Sequence, residues 1–157
     1  MNTVQYPLTI FFDGSCPLCN REIALLTQFD DHQQLRVVDC SATDFAPVEG
    51  HARESLMALI HARDAAGAWL IGAPVFAAAY RATGFASIAS VWGSSRLQPM
   101  WRVVYPWIAR NRMWLSKLGA IDVMTWLLHR LHARGAKKAL AQSRACADDR
   151  CDLPPPR

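Results

Sequence analysis

The stretch LTIFFDGSCPLC, residues 8–19, decides the fold. Its first five residues are mostly β-branched or aromatic, and Asp13-Gly14-Ser15 interrupts the apolar run, which predicts a short buried strand ending in a turn. Pro17 suits the first position of a helix, where the backbone N–H that proline lacks would have no partner. From Cys19 onward, apolar residues recur at helical spacing until Asp30. The stretch therefore predicts a strand that leads through a tight turn into a helix.

A second strand predicted at Leu35–Asp39 completes a βαβ unit, whose two strands should be parallel and joined by a right-handed crossover. Further elements are predicted in this order: a helical turn near 51–56, a strand near 57–63, a turn at 64–67, a strand at 68–71, and a helix at 74–82 that ends before Gly84. This order predicts an α/β fold, a thioredoxin-like four-stranded sheet with helices packed on it and a C-terminal helical extension.

Charge divides the chain into two unequal parts. The 157 residues carry a formal net charge of +4 and are 52% hydrophobic, which excludes a disordered charged tail protein and predicts a single globular core. Residues 1–95 hold five basic and nine acidic residues, whereas residues 96–145 hold ten and one. We predict a thioredoxin-like redox domain at 1–90, a helical extension packed on it at 91–145, and a disordered tail at 146–157.

The pair Cys16 and Cys19 lies where the predicted helix begins. Unpaired N–H groups and the positive end of the helix dipole favour a thiolate at Cys16, which is then the attacking species. Cys19, one turn further on, is within disulfide reach and is expected to be the less exposed of the two. This arrangement suits a two-step exchange in which Cys16 attacks a substrate disulfide and Cys19 resolves the mixed disulfide.

Two neighbouring residues have two possible roles each. Asp13 could accept or relay the proton of the Cys19 thiol, or it could be an Asx-turn residue that holds the loop before Cys16. Cys40 follows the second strand as Cys16 follows the first, so it could lie near the pair or be a small buried core residue.

A second interpretation of the Cys pair is a redox-sensing or zinc-binding element in a non-catalytic interaction module. A tetrahedral zinc site would need two further ligands. The candidates are Cys40, His51, His61, Cys146 and Cys151. His129 and His132 form an i, i+3 pair that could bind a metal or be a surface pair. The βαβ setting of the pair and the lack of a second Cys-x-x-Cys favour the redox interpretation, with no metal and no cofactor among the predicted site components.

At these residues the sequence resembles the DCC family of predicted thiol-disulfide oxidoreductases, named for an Asp-x-x-Cys-x-x-Cys motif that stands here as DGSCPLC at 13–19. The similarity covers roughly residues 6–118 and includes HARDAAGAW at 61–69 and YPWIARNR at 105–112, which is similar to the family's Tyr…Asn-Arg signature. The resemblance implies a thioredoxin-like fold, Cys16 and Cys19 as the redox pair with Asp13 as motif acid, a disulfide-containing protein or small molecule as substrate, and a dithiol electron donor.

Five of the six tryptophans lie between Trp92 and Trp126, among the basic residues. Here Pro99 should open a helix, Pro106 should kink or divide it, and a later helix should run from about 120 to 142. The apolar faces of these helices could cover the sheet, or they could make a weak peripheral contact with an anionic membrane. No nucleic-acid motif accompanies the basic residues.

The first residues of the chain lack the basic and apolar regions of a secretory signal. The sequence also lacks an uncharged apolar run long enough to span a bilayer. We therefore expect a cytoplasmic protein. Because reducing cytosol disfavours structural disulfides, a close Cys pair there is expected to be catalytic, redox-sensing or metal-binding.

Overall fold

Four strands form one mixed sheet within the residues that the computed structural model describes, which are 3–48, 50–118, Trp126 and Arg130. The strands are β1 (Leu8–Phe12), β2 (Leu35–Asp39), β3 (His61–Arg63) and β4 (Trp69–Ile71). Strand β1 pairs in parallel with β2 and antiparallel with β3, and β3 pairs antiparallel with β4. The order across the sheet is therefore β2-β1-β3-β4. The parallel pair confirms the predicted βαβ unit, and the α/β class is as expected.

Helices connect and flank these strands. They are α1 (Pro17–Gln28), α2 (Arg53–Ala58), α3 (Ala73–Ala82), α4 (Ala86–Gly93) and α5 (Gln98–Leu115), with a 3-10 turn at Ser116–Leu118. The strand predicted from residue 57 begins only at His61, because α2 carries the chain through Met57 and Ala58 first. Helix α4 was not predicted, since its apolar sequence has no side-chain cap to mark a start. Pro106 lies inside α5 without dividing it, since it removes only one backbone donor from a helix that packs against its neighbours.

Both faces of β1 are covered. Successive side chains of a strand point to opposite faces, so Ile10 and Phe11 face different sides of the sheet, and both are buried. Phe11 packs with Cys40 and Leu56 in a cluster on the face that α2 covers. Helix α3 packs against β1 and β4. Because β1 is fully enclosed, the turn that follows it is anchored at its first residue.

Helix α5 contacts α1, α3 and α4. Trp92 of α4 stacks on Phe76 of α3 with ring centroids 4.8 Å apart and on Trp101 of α5 with centroids 4.3 Å apart. Trp92 and Trp101 thus pack α4 and α5 against α3. Trp107 and Trp114 do not take part, since more than half of each side chain is exposed.

Residues 1–119 form one compact unit and residues 120–157 form a second. Within the second unit the structure describes only Trp126 and Arg130, whose guanidinium carbon lies 4.9 Å from the Trp126 ring centroid. The predicted helix at 120–142, the predicted tail, the His129 and His132 pair and the last two cysteines lie outside the described residues. No helix in the described part of the chain combines the length and apolar character needed to cross a membrane.

Candidate functional site

The turn after β1 is held by the side chain of Asp13. Its Oδ1 accepts hydrogen bonds from the Ser15 backbone N–H at 3.0 Å and from Ser15 Oγ at 2.5 Å. The Asp13 carbonyl accepts a third bond from the Cys16 N–H at 3.2 Å. These contacts form an Asx turn, so one of the two roles predicted for Asp13 is confirmed. The turn places Cys16 at the start of α1.

Cys16 is the N-cap residue of α1. Its backbone is extended, with φ −86° and ψ 114°, and its Sγ accepts a hydrogen bond from the Cys19 N–H at 3.4 Å. Pro17 occupies the first turn, as predicted. A sulfur atom in this position faces the unpaired N–H groups and the positive end of the helix dipole, which stabilise a negative charge there. The Cys16 sulfur therefore lies at the N-terminal end of α1, with the Cys19 N–H directed at it.

The predicted order of exposure is wrong. Cys16 has 0% of its surface exposed, whereas Cys19 is only partly buried. The physical reason is the cap itself: Cys16 continues from the buried end of β1, and its sulfur turns back over the first turn of α1. Cys16 is thus enclosed, and Cys19, one turn further on, is only partly buried.

Burial raises the pKa of the Cys19 thiol above its ordinary value. A side-chain hydrogen bond with Cys16 and the charges of Cys16 and Asp13 raise this pKa further, while the guanidinium of Arg112 lowers it. At neutral pH Cys19 therefore holds its proton. It must lose that proton before it can attack a disulfide.

A second loop, after β2, braces the turn that carries Cys16. Asp39 Oδ1 accepts hydrogen bonds from the Gly14 N–H at 2.8 Å and from Ser41, through its N–H at 2.8 Å and its Oγ at 2.6 Å. A Cβ on Gly14 would lie 2.2 Å from Asp39 Oδ2, so only glycine fits there. Burial raises the pKa of Asp39, but these bonds and nearby Arg53 outweigh it, and the pKa lies below its ordinary value.

Cys40 is a core residue, which confirms one of its two predicted roles. It is fully buried and packs with Phe11 and Leu56. Burial raises the pKa of its thiol to about 11, with the charge of Asp39 adding to the effect. Cys40 is accordingly a neutral thiol at physiological pH and a poor nucleophile.

Two side chains of α5 reach the site from a distant part of the sequence. Arg112 donates one hydrogen bond to Asp13 Oδ2 at 2.5 Å and another to the Met57 carbonyl at 2.6 Å. The Tyr105 hydroxyl accepts a hydrogen bond from the Ile60 N–H at 3.0 Å, and its ring lies over Gly72, where a Cβ would be 3.1 Å from it. Both residues fall in the segment that carries the family resemblance. Nothing in the sequence pattern indicated which groups they contact.

The residues considered as further zinc ligands do not gather around the Cys pair in the described ranges, where no group of three or more His, Cys, Asp or Glu side chains could hold a metal ion. His51 and His61 instead pack against each other and against Trp69, with ring centroids 5.7 Å apart for the two histidines and 3.9 Å for His51 and Trp69. Cys146 and Cys151 lie outside the described residues.

Comparisons with known proteins agree with the geometry. A family model described as DCC1-like thiol-disulfide oxidoreductase matches residues 10–118, which include Asp13, both cysteines, Tyr105 and Arg112. An uncharacterized chloroplastic protein of Arabidopsis thaliana is 25% identical over 123 residues, which are 76% of this chain and 58% of that protein. The chain thus spans less than two thirds of the length of this relative. No solved structure gives a significant match.

Proposed function

The chain belongs to the DCC1-like thiol-disulfide oxidoreductase family, and from that premise we propose that it exchanges disulfides through Cys16 and Cys19. The observation that carries the proposal is the position of Cys16 as N-cap of α1, with its Sγ accepting the Cys19 N–H. A helix N-terminus stabilises the thiolate that attacks, and the second thiol is one turn away.

The exchange has two steps. The Cys16 thiolate attacks one sulfur of the substrate disulfide, the substrate S–S bond breaks, and one substrate thiolate leaves. Cys19 then loses its proton and attacks Cys16 Sγ, which forms the Cys16–Cys19 disulfide and releases the second substrate thiolate. The substrate gains two electrons and the chain loses two. An external dithiol donor must reduce the chain again.

Asp13 is the proposed acceptor of the Cys19 proton. Its carboxylate ends β1 and is 5% exposed, and its charge affects the pKa of Cys19. Oδ1 is used by the Asx turn and Oδ2 by Arg112, so the carboxylate is fixed in place before the reaction begins. Because Cys16 is fully buried, side chains around it must move apart when a substrate disulfide approaches.

The substrate class follows from the chemistry, a disulfide in a protein or a small molecule, and the electron donor is a dithiol. The cytoplasmic location expected from the sequence stays a prediction. The interaction-module alternative makes different predictions for the same pair, so one experiment separates the two.

Cys19→Ser is expected to trap a mixed disulfide through Cys16, because attack still occurs and resolution does not. The measurement is mass spectrometry of the variant after reaction with a disulfide-bonded protein, with the wild type, which should cycle under dithiothreitol and release reduced substrate, as the reference. The proposed enzymatic function is refuted if the wild-type dithiol does not cycle or if the variant forms no adduct. Stoichiometric zinc in such an inactive protein would favour the interaction module.

A further inference from the structure

Arg112 connects three elements around the dithiol. Its guanidinium bonds to the Asp13 carboxylate after β1 and to the Met57 carbonyl in α2, while its own backbone belongs to α5. The ion pair is largely enclosed, since 19% of the Arg112 side chain and 5% of the Asp13 side chain are exposed. An ion pair shielded from water is less screened than a surface pair, so salt weakens the attraction between its charges less.

The Arg112 guanidinium also acts electrostatically on the Cys19 thiol. The groups that act on Cys19 are Asp13 at the end of β1, Cys16 on α1, and Tyr105 and Arg112 on α5. Among them Arg112 is the cation, and it favours the ionised form of Cys19 that the other charges oppose. Removing the Arg112 cation also leaves the negative charge of Asp13 without its partner, and that charge raises the pKa of Cys19 as well.

We infer that Arg112 is a positioning residue of the dithiol site: it holds the Asp13 carboxylate in place and brings a positive charge to Cys19. The inference rests on the proposed function, and it makes α5 a part of the dithiol site. It explains why a helix far along the chain reaches back to the motif acid. A residue that only stabilised the fold would not change the titration of the thiols.

Arg112→Gln is expected to shift the pH at which Cys19 is half alkylated upward by about 1 pH unit, because an opposite charge nearby moves a pKa by that order. Exchange at neutral pH should fall about ten-fold, since one pH unit is a ten-fold change in thiolate. The measurement is mass spectrometry of the reduced chain after brief iodoacetamide treatment across a pH series. Arg112→Lys should keep the Cys19 profile close to that of the wild type, because lysine keeps the positive charge.

The matched control is Arg110→Gln, which removes an exposed charge from the same helix and should leave the Cys19 profile unchanged. If the wild type cycles and Arg112→Gln only lowers the melting temperature without moving the profile, Arg112 is structural and the inference is refuted. If the wild type does not cycle, the proposed function itself fails. Should Arg112→Gln not fold, Arg112→Lys still tests the inference, because a Cys19 profile that moves away from the wild type in this charge-keeping variant would refute the role of the charge.

A separate observation concerns the opposite face of α5. Met100, Val103, Trp107 and Trp114 are exposed and recur at helical spacing, which places them on one stripe. Val103 is 73% exposed, Trp107 55% and Trp114 58%. Tyr105 and Arg112, which face the dithiol, lie on the other side of the helix. The stripe is thus an apolar surface that the described residues do not cover.

The charges beside this stripe are all of one sign. Arg96, Arg102, Arg110 and Lys117 are exposed, and residues 96–118 contain no Asp or Glu. Tryptophan side chains suit the headgroup region of a bilayer, and exposed basic residues are attracted to anionic lipids. An apolar stripe bordered by basic residues is the pattern of a helix that lies in a membrane interface.

We propose that this outer face of α5 binds an anionic lipid surface, which would hold the dithiol close to disulfides at a membrane. Charge complementarity carries the choice of occupant. The exposed basic residues beside the stripe complement anionic headgroups, and its exposed apolar side chains suit the boundary between headgroups and acyl chains.

The test is cosedimentation of the full chain with vesicles of phosphatidylserine and phosphatidylcholine at low salt, where at least ten-fold more protein should bind than to phosphatidylcholine alone. Binding should fall at high salt, because salt screens the lipid charge. Trp107→Ser with Trp114→Ser should abolish it, whereas Ile71→Ser, which changes a half-exposed apolar residue of β4, should not. Equal binding to both vesicles, or full binding by the double variant, refutes the surface.

Discussion

Cys16→Ser is expected to reduce disulfide exchange to the uncatalysed background while the fold stays intact. The sulfur that attacks is removed, and a hydroxyl cannot form the mixed disulfide on which both steps depend. Serine is a favoured N-cap residue, so its Oγ can accept the Cys19 N–H in place of Cys16 Sγ. The measurement is turnover of a disulfide-bonded protein with dithiothreitol as donor, together with the melting temperature of the variant.

Cys40→Ala is the matched control for this loss. Cys40 is another buried thiol close in sequence to a strand end, but it packs in the core with a raised pKa and should not affect turnover. Retained exchange by Cys16→Ser would contradict the proposed nucleophile. An adduct that forms through Cys19 in that variant would assign the attack to the partly exposed thiol instead.

The parts of the site that are local in sequence were predictable. The apolar run of β1, the turn residues after it and Pro17 each have one dominant local conformation, and together they place Cys16 at a helix N-terminus. The Asx turn of Asp13 follows from the same signals, because its partner is two residues away. Local sequence thus determined the chemical environment of the Cys16 sulfur.

The parts that depend on packing were not predictable in the same way. Arg112 and Asp13 are 99 residues apart, and no periodicity connects a basic residue of an amphipathic helix with one particular carboxylate. The exposure of Cys16 and Cys19 was predicted in the wrong order because it depends on what surrounds the first turn of α1. The late start of β3 also depends on packing, because residues 57 and 58, which would suit a strand, belong to α2.

Helix α5 brings residues from a distant part of the sequence to the locally formed turn. The sequence predicted a redox domain and a helical extension packed on it. In the structure, Tyr105 of that segment contacts Ile60, just before β3, and Arg112 contacts Asp13, just after β1. A disulfide site built from one βαβ unit therefore has its electrostatics completed by a later helix. Asp13 holds the turn through Oδ1 and pairs with Arg112 through Oδ2.

Asp13→Asn is expected to slow resolution of the mixed disulfide by about 100-fold or more, the range of a lost general base. The substitution keeps the Asx turn, because the asparagine Oδ1 can still accept both Ser15 bonds. Its Nδ2 would face the Arg112 guanidinium, donor against donor, and we expect a loss of about 1–3 kcal/mol of stability from the broken ion pair. The measurement is single-turnover release of a thiol from a preformed Cys16 mixed disulfide.

The direction of this effect identifies its cause. The Asp13 charge raises the pKa of Cys19, so removing that charge alone would ease deprotonation and speed the attack. Loss of the Arg112 charge is expected to slow exchange about ten-fold, so a slowing of about 100-fold in Asp13→Asn exceeds that effect and is attributed to the lost proton acceptor. Asp64→Asn is the control, because Asp64 caps the β3–β4 turn beside Arg63, which pairs with Thr9 near the opposite end of β1. Resolution at the wild-type rate or faster in Asp13→Asn would reduce Asp13 to its structural role in the turn.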